Sequence, residues 1–302
     1  MHNHSVINYK TSSRKIKIAI YLNILIVVVQ GSVGLIIDSL SLLSDALHNF
    51  SDVLSLVVSM IAIRLVTRSG SLKKTFGFKR AEIIAAMLNG LLLILLSLLL
   101  IKEAFFRVLY PIEIESTWII ILASVSFFIN IGCTLLLSKE AAYNLNIRSS
   151  YVHMLSDAMT SLAIVVGGFF MYYKGAYWVD GLLTFMISLY LLYLGWKIVK
   201  ETFSFIMHFV PSHLDIKEIE EEVLKIDHVK NMHHVHLWQL NENQIHFEAH
   251  IDFQEDLNLS EVTLILSKID SLLLNQFKIN HVTLQPEIGV NDSKNLVSGR
   301  EC

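Results

Sequence analysis

Residues 81–109, AEIIAAMLNGLLLILLSLLLIKEAFFRVL, read as one long apolar helix. About 20 mostly apolar residues suffice to carry a helix across the hydrocarbon core of a bilayer, and this run exceeds that length. Five further stretches of the same character surround it, at 16–37, 40–66, 116–138, 150–173 and 178–206. Six spans predict an α-helical membrane protein whose two ends lie on one side of the bilayer. Composition agrees, because only 17% of the residues are charged and 53% are hydrophobic, against roughly 25% charged in soluble domains. Mean hydropathy is +0.53. A net charge of only −3 gives no bulk electrostatic reason to expect a nucleic-acid partner.

The character of the chain changes after residue 210. Pro211 stops the sixth helix, and Asp215, Lys217, Glu218, Glu220, Glu221 and Glu222 follow. The remainder reads as helix 215–226, strand 231–240, strand 244–253, helix 260–275 and strand 279–286. IHFEAHIDF alternates with the two-residue period of a strand, whereas EVTLILSKIDSLLL carries the helical apolar period. This αββαβ order suits a small ferredoxin-like sheet with two helices on one face. The expected domains are thus an N-terminal segment 1–15, a transmembrane domain 16–210, a soluble α+β domain 211–289 and a disordered polar tail 290–302.

Lys and Arg cluster around alternate connections. Lys10, Arg14, Lys15 and Lys17 precede the first span, Arg64, Arg68, Lys73, Lys74, Lys79 and Arg80 surround the second connection, Lys139 and Arg148 flank the fourth, and Lys197 and Lys200 end the sixth span. The other connections hold little beyond Lys102, Arg107 and Lys174. By the positive-inside rule both termini and the soluble domain are expected in the cytoplasm of a multi-pass protein of the cell membrane. The basic N-terminus before an apolar run invites a signal-peptide reading, but the run has no small-residue cleavage pattern and leads into more spans, so it reads as a retained helix. Two cysteines, Cys133 and Cys302, offer no spacing for a disulfide framework or a thiolate metal site.

Two of the spans carry the chemistry. SDALHNFSDVLSL (44–56) and YVHMLSDAMTSL (151–162) each contain His-x-x-x-Asp with Ser just before the Asp. Residues at i and i+4 share a helix face, so His48 projects with Asp52 and His153 with Asp157. Two such helices face to face bring two imidazoles and two carboxylates to one point, a donor set suited to a borderline-soft divalent ion. Ser41, Ser44, Asp45, Ser51, Ser55 and Ser59 extend the stripe in one helix, and Ser149, Ser156, Thr160 and Ser161 in the other. Lipid would leave such stripes unsatisfied, so they turn inward. A single intramembrane His or Asp is readily a packed polar group bonded to a neighbouring helix. Two matched pairs are another matter, because each Asp costs about 2.5–3.5 kcal/mol to insert and a bound cation offsets that cost. Asp45, one turn before His48, fits either a supporting partner or a helix-end hydrogen bond.

The paired HNFSD and HMLSD, together with TFGFKRAEIIAAMLNG (75–90), FVPSH (209–213), HVHLWQL (234–240) and HVTLQPE (281–287), make the chain resemble the cation diffusion facilitator family, and its zinc-transporting branch in particular. The resemblance runs from about residue 15 to 288. It implies a homodimeric exporter that exchanges cytoplasmic Zn²⁺ for protons by alternating access, with no catalytic residues, no cofactor, and His48, Asp52, His153 and Asp157 as transport site. Neutral imidazole is the metal-binding form, and its ordinary pKa of about 6.5 makes proton and metal compete at His48 and His153. Ligands that some relatives place between spans two and three have no counterpart in SGSLKKTFGFKR, and SKEAAYNLNIRSS lacks the His-rich loop of others.

Seven of the thirteen histidines lie in the soluble part, at 228, 233, 234, 236, 246, 250 and 281. In the family, cytoplasmic metal ions bind there as regulatory ligands near the dimer contact; the matching positions are His233 and His250, with His236 and Glu287 as additions. Histidines on a half-exposed strand are also ordinary, and Trp238 and Phe247 pack a sheet equally well. His2 and His4 read as a weak mobile lure for metal or as nothing, and His208 has no evident role. Other readings remain for the chain as a whole. Cd²⁺, Co²⁺, Ni²⁺ or Fe²⁺ accept the same donors, an intramembrane metal-dependent hydrolase would use buried His and Asp, and a metal sensor could keep the helices as an anchor. The hydrolase lacks a HExxH motif and a nucleophile, and an anchor needs no polar stripes.

Overall fold

The computed structural model describes residues 9–66, 71–141, 145–241, 244–291 and 293–297, with the side chains of 9–20, 55–66, 82, 136–137, 139–141, 145–150 and 152–153 outside that description. Two compact units emerge, Met1–Met60 with Leu88–Ile198, and Ile61–Met87 with Val199–Cys302.

The first unit is helical. It is built from α1 (Tyr9–Ile36), α2 (Leu40–Val66), α3 (Ala81–Leu109), α4 (Ser116–Ala141), α5 (Leu145–Lys174) and α6 (Trp178–Ile206), the ends of α2, α3 and α6 running on into the second unit. These helices coincide in position with the six expected spans, α1 and α5 beginning earlier than expected. Among the described residues, Ile83–Leu109, Ser116–Leu135, Met154–Lys174 and Trp178–Ile206 are long and apolar enough to cross a membrane, and Tyr21–Ile36 is a shorter apolar run. Small residues set the helix approach. A Cβ on Gly181 of α6 would stand 2.9 Å from the Val108 nitrogen, and one on Gly195 would stand 2.9 Å from Ile94 Cγ1 and 3.1 Å from the Gly90 carbonyl oxygen. Glycine at both places lets α6 lie directly on the backbone of α3.

The start of α2 is pinned by side chains that sequence reading passed over. The chain reverses at Asp38 (φ 55°). Buried Asp180 of α6 then accepts hydrogen bonds from the Leu40 and Ser41 amides, both at 3.1 Å, and from the Ser39 hydroxyl at 3.0 Å. A carboxylate at this point satisfies amides that the helix itself cannot and opposes the positive end of its dipole. Arg107 of α3 closes the network, 3.2 Å from Asp38 Oδ1 and 3.7 Å from Asp180 Oδ2. The helix carrying His48 and Asp52 is thus held at its first turn by α3 and α6.

In the second unit α7 (Ile216–Val223), β1 (Val229–Asn241), β2 (Gln244–Phe253), α8 (Leu259–Phe277) and β3 (His281–Glu287) follow in the αββαβ order expected. The sheet order is β1-β2-β3, with β1 antiparallel and β3 parallel to β2. Asp215 caps α7 by accepting from the Lys217 amide, and Asn258 and Glu261 form a reciprocal capping box on α8. Ile219 and Val223 of α7 and Ile265, Ile269, Leu273 and Phe277 of α8 pack with Met232, Leu237, Ile245, Phe247, Ala249 and Ile251 of the sheet into one core. Strand alternation sends the other side chains to the opposite face. There the register aligns His233 with His250, His236 with Glu248, His246 with His281 and Asp252 with Glu287. A β-bulge between His233 and His236, with His234 at φ 53°, keeps both flanking histidines on that face.

The tail corrects one expectation. Residues 290–302 were expected to be disordered on their polar composition, yet the Val235 amide donates to the Leu296 carbonyl at 2.9 Å and the His234 amide to that of Asn295 at 3.3 Å. Leu296 packs against the core. Backbone bonding of this kind is indifferent to side-chain polarity, which is why composition misjudged it. Residues 298–302 and the N-terminal His2 and His4 lie outside the described residues.

Candidate functional site

Within the helical unit, α2 and α5 bring His48, Asp52 and Asp157 together, with one ligand atom of each inside 4.8 Å of the others. His48 Nε2 lies 3.0 Å from Asp157 Oδ1, and its Nδ1 lies 3.9 Å from Asp52 Oδ2. His48 and Asp157 are 3% and 2% exposed; Asp52 is partly exposed, with Oδ2, the oxygen turned to His48, itself buried. Tyr190 of α6 stands edge-on to the His48 ring at 6.0 Å. The fourth expected ligand, His153, has its backbone one turn before Asp157 in α5, but its side chain lies outside the described residues.

Neighbouring polar groups hold this face of α2. Asp45 is buried and accepts from Gln30 Nε2 of α1 at 2.9 Å, while its carbonyl accepts from Asn49 Nδ2 at 3.0 Å. Asp45 is therefore not in the cluster; it ties the helix to α1 one turn away. Asn89 of α3 donates to the Ser51 hydroxyl at 3.4 Å. The chemistry of the cluster follows from its proton inventory. In the tautomer with its proton on Nε2, His48 donates to Asp157; a metal ion bound at that nitrogen would need its lone pair, so at Nε2 proton and metal exclude one another.

The second unit holds another donor cluster on the polar face of its sheet. His233, His250 and Glu287 place one ligand atom each within 4.8 Å of the others. Glu287 Oε1 is 2.7 Å from His250 Nδ1, and its Oε2 is 3.4 Å from His233 Nε2. His233 and Glu287 are buried, His250 half-buried. The expected addition His236 is not among these three. It stands beside His234, ring centroids 5.0 Å apart, at a cavity of about 270 Å³ that it lines with His234, Glu248, His250, Thr283 and Gln285. Missed by sequence reading were Asp252, 3.4 Å from His233 Nδ1, and the tail residue Lys294, 2.9 Å from Asp252. Strand register would have found Asp252, which sits opposite Glu287.

A third histidine group packs on aromatics instead. His246 stacks on Trp238 with ring centroids 5.2 Å apart, lies 4.2 Å from His281, and has Phe76 edge-on. Burial first, then the charges of His281, Lys79 and Arg80, push its pKa below the usual histidine value. His208, unexplained from sequence, accepts from the Arg80 guanidinium, and burial together with that charge lowers its pKa as well.

Comparison with known proteins places the two segments in one family. Residues 16–207 match the family model described as the cation efflux transmembrane domain, and residues 211–288 the one described as the cation efflux protein, cytoplasmic domain. The chain is 31% identical over 287 residues to the metal cation efflux system protein CzcD of Cupriavidus metallidurans, covering 95% of this chain and 90% of the relative. It is 31% identical over 301 residues to a cadmium, cobalt and zinc/H(+)-K(+) antiporter of Bacillus velezensis, covering 98% and 95%. Zinc transporter ZitB of Yersinia pestis is 28% identical over 299 residues, at 96% and 95% coverage. Nearly every residue of the chain falls within these matches, and two imidazole-carboxylate clusters lie one in each matched segment: the chain belongs to the cation efflux family, the cation diffusion facilitators, and is a membrane transporter rather than an enzyme.

Proposed function

We propose that this protein exports Zn²⁺ from the cytoplasm in exchange for protons, working as a homodimer by alternating access, with His48, Asp52, His153 and Asp157 as the transport site. The observation that carries the reading is His48, buried in a membrane-spanning helix with a carboxylate on each side of its ring at 3.0 Å and 3.9 Å. Such a group is expensive in lipid unless it handles an ion, and it combines a neutral donor with two anionic ones, as a borderline-soft dication requires. Proton and metal ion compete for the same imidazole lone pair. Arrival of a proton from the far side therefore weakens the hold on the ion, and its departure on the cytoplasmic side restores the site.

The names of the relatives support zinc, and the antiporter relative supports both proton exchange and a wider range that includes cadmium and cobalt. Placement in the cell membrane with both termini cytoplasmic rests on the Lys and Arg distribution. In the soluble part, His233, His250 and Glu287 would hold a regulatory metal ion. The donor set fits, because two imidazoles and one carboxylate stand close enough to share an ion and two of the three are removed from solvent. The family description of this segment as a cytoplasmic domain agrees with a sensing role there.

The deciding experiment is metal uptake into proteoliposomes from a panel of Zn²⁺, Cd²⁺, Co²⁺, Ni²⁺ and Fe²⁺, with and without an imposed pH gradient. Zinc flux that rises with the gradient is expected. Flux that ignores the gradient would remove the exchange, and preference for another ion would change the substrate.

A further inference from the structure

The tail delivers a cation of its own to the cluster in the soluble part. Lys294 Nζ lies 2.9 Å from Asp252 Oδ1, 3.3 Å from His233 Nε2 and 3.4 Å from Glu287 Oε2. Two of those atoms belong to residues of the candidate regulatory site. His233 faces Asp252 Oδ2 with its other nitrogen, Nδ1, at 3.4 Å, which leaves Nε2 turned toward Glu287 and the ammonium. A positive group thus stands among the donors that a divalent ion would use, balancing two buried carboxylates.

The position of the ammonium is built into the backbone. The β-bulge sets His234 and Val235 outside the regular register with β2, and their amides donate to the carbonyls of Asn295 and Leu296. Leu296 then seats on the apolar core, one residue beyond Asn295 and two beyond Lys294. The bulge, the two amide bonds and the leucine anchor together aim Lys294 at the cluster. Lys294 itself is 36% exposed along its side chain, so it can withdraw into solvent without unfolding the sheet.

We propose that residues 293–297 form a tethered strap whose Lys294 ammonium occupies the cytoplasmic metal cluster until a divalent ion displaces it. The inference rests on the reading of His233, His250 and Glu287 as a metal site and deepens it. Like charges cannot share the donors, so metal binding and strap docking exclude one another. Docking lowers the apparent metal affinity by the fraction of time the cluster is covered, and occupancy of the site is converted into release of the chain end.

The test uses the full chain in detergent with the transport site disabled by Asp52→Ala and Asp157→Ala, and Zn²⁺ titrated against a chromophoric chelator. Lys294→Gln, which keeps a polar side chain one bond shorter and removes its charge, is expected to tighten Zn²⁺ binding about tenfold or more. In the parent, Zn²⁺ is expected to speed tryptic cleavage after Lys294, seen by mass spectrometry as the peptide beginning at Asn295. Unchanged affinity in Lys294→Gln, or cleavage after Lys294 that ignores Zn²⁺, overturns the strap while binding lost in His233→Ala leaves the cluster standing. Zn²⁺ binding that survives His233→Ala at full strength overturns the cluster and the strap together.

Discussion

Asp157 is 2% exposed in a membrane-spanning helix, with the His48 ring at 3.0 Å. Asp157→Ala removes an anionic donor and the nearer of the two carboxylates beside the imidazole. Loss of a merely supporting group around a metal lowers affinity 10- to 100-fold, so loss of a ligand is expected to cut zinc uptake into proteoliposomes at least about 100-fold while the helical circular dichroism stays unchanged. Asp180 makes a different prediction. It is fully buried and answers two backbone amides, the hydroxyls of Ser39 and Ser41, and Arg107, so Asp180→Ala should lower stability in detergent by about 3–5 kcal/mol, read by thermal unfolding. The contrast explains what sequence could reveal at this scale. His48 and Asp52 announce themselves because helical geometry places i and i+4 on one face, whereas the amides that Asp180 serves lie 140 and 139 residues away along the chain. Lys294 was hidden for the same reason, in a tail whose composition says only that it is polar.

Among the elements, the six long helices and the αββαβ order followed from apolar period and length, since burial of one face enforces those periods. The bulge at His234 did not, because it depends on how β1 meets β2 and the tail. It has consequences for the polar face of the sheet, where every histidine position is set by register. His246 is the case with a measurable signature. Burial, helped by His281, Lys79 and Arg80, lowers its folded pKa below the unfolded value of 6.5. The unfolded chain therefore takes the proton first as pH falls. The stabilisation is fully present above about pH 6.5 and is lost as pH drops through the lower folded value. Thermal unfolding of the sheet, followed by Trp238 fluorescence in a variant with Trp118, Trp178 and Trp196 changed to Phe, should show this acid loss in the presence of a chelator. His246→Phe, which keeps an aromatic ring against Trp238, should flatten the profile. An equally steep acid loss in that variant would place the proton elsewhere.

For the whole molecule, the Lys and Arg distribution underlies the proposed side of the bilayer for each end. Of the few basic residues assigned to the far side, Arg107 is paired with Asp38 and Asp180. Lys73 and Lys74, in contrast, are exposed in the connection between α2 and α3, with Lys79 and Arg80 half-exposed beside them. The connection between α2 and α3 is thus rich in Lys and Arg where the far-side connections are poor, the distribution on which the proposed cytoplasmic placement rests. The chain carries a natural probe of this, because its two cysteines differ: Cys133 is 2% exposed within α4, and Cys302 is the other. A membrane-impermeant maleimide added to intact cells should leave the protein unlabelled, and the same reagent after permeabilisation should label it once. Cys302→Ser should abolish that label. Labelling in intact cells that Cys302→Ser removes would put the carboxyl end outside, and with it the soluble unit, which would then be facing the wrong compartment to sense the metal that the helices are proposed to expel.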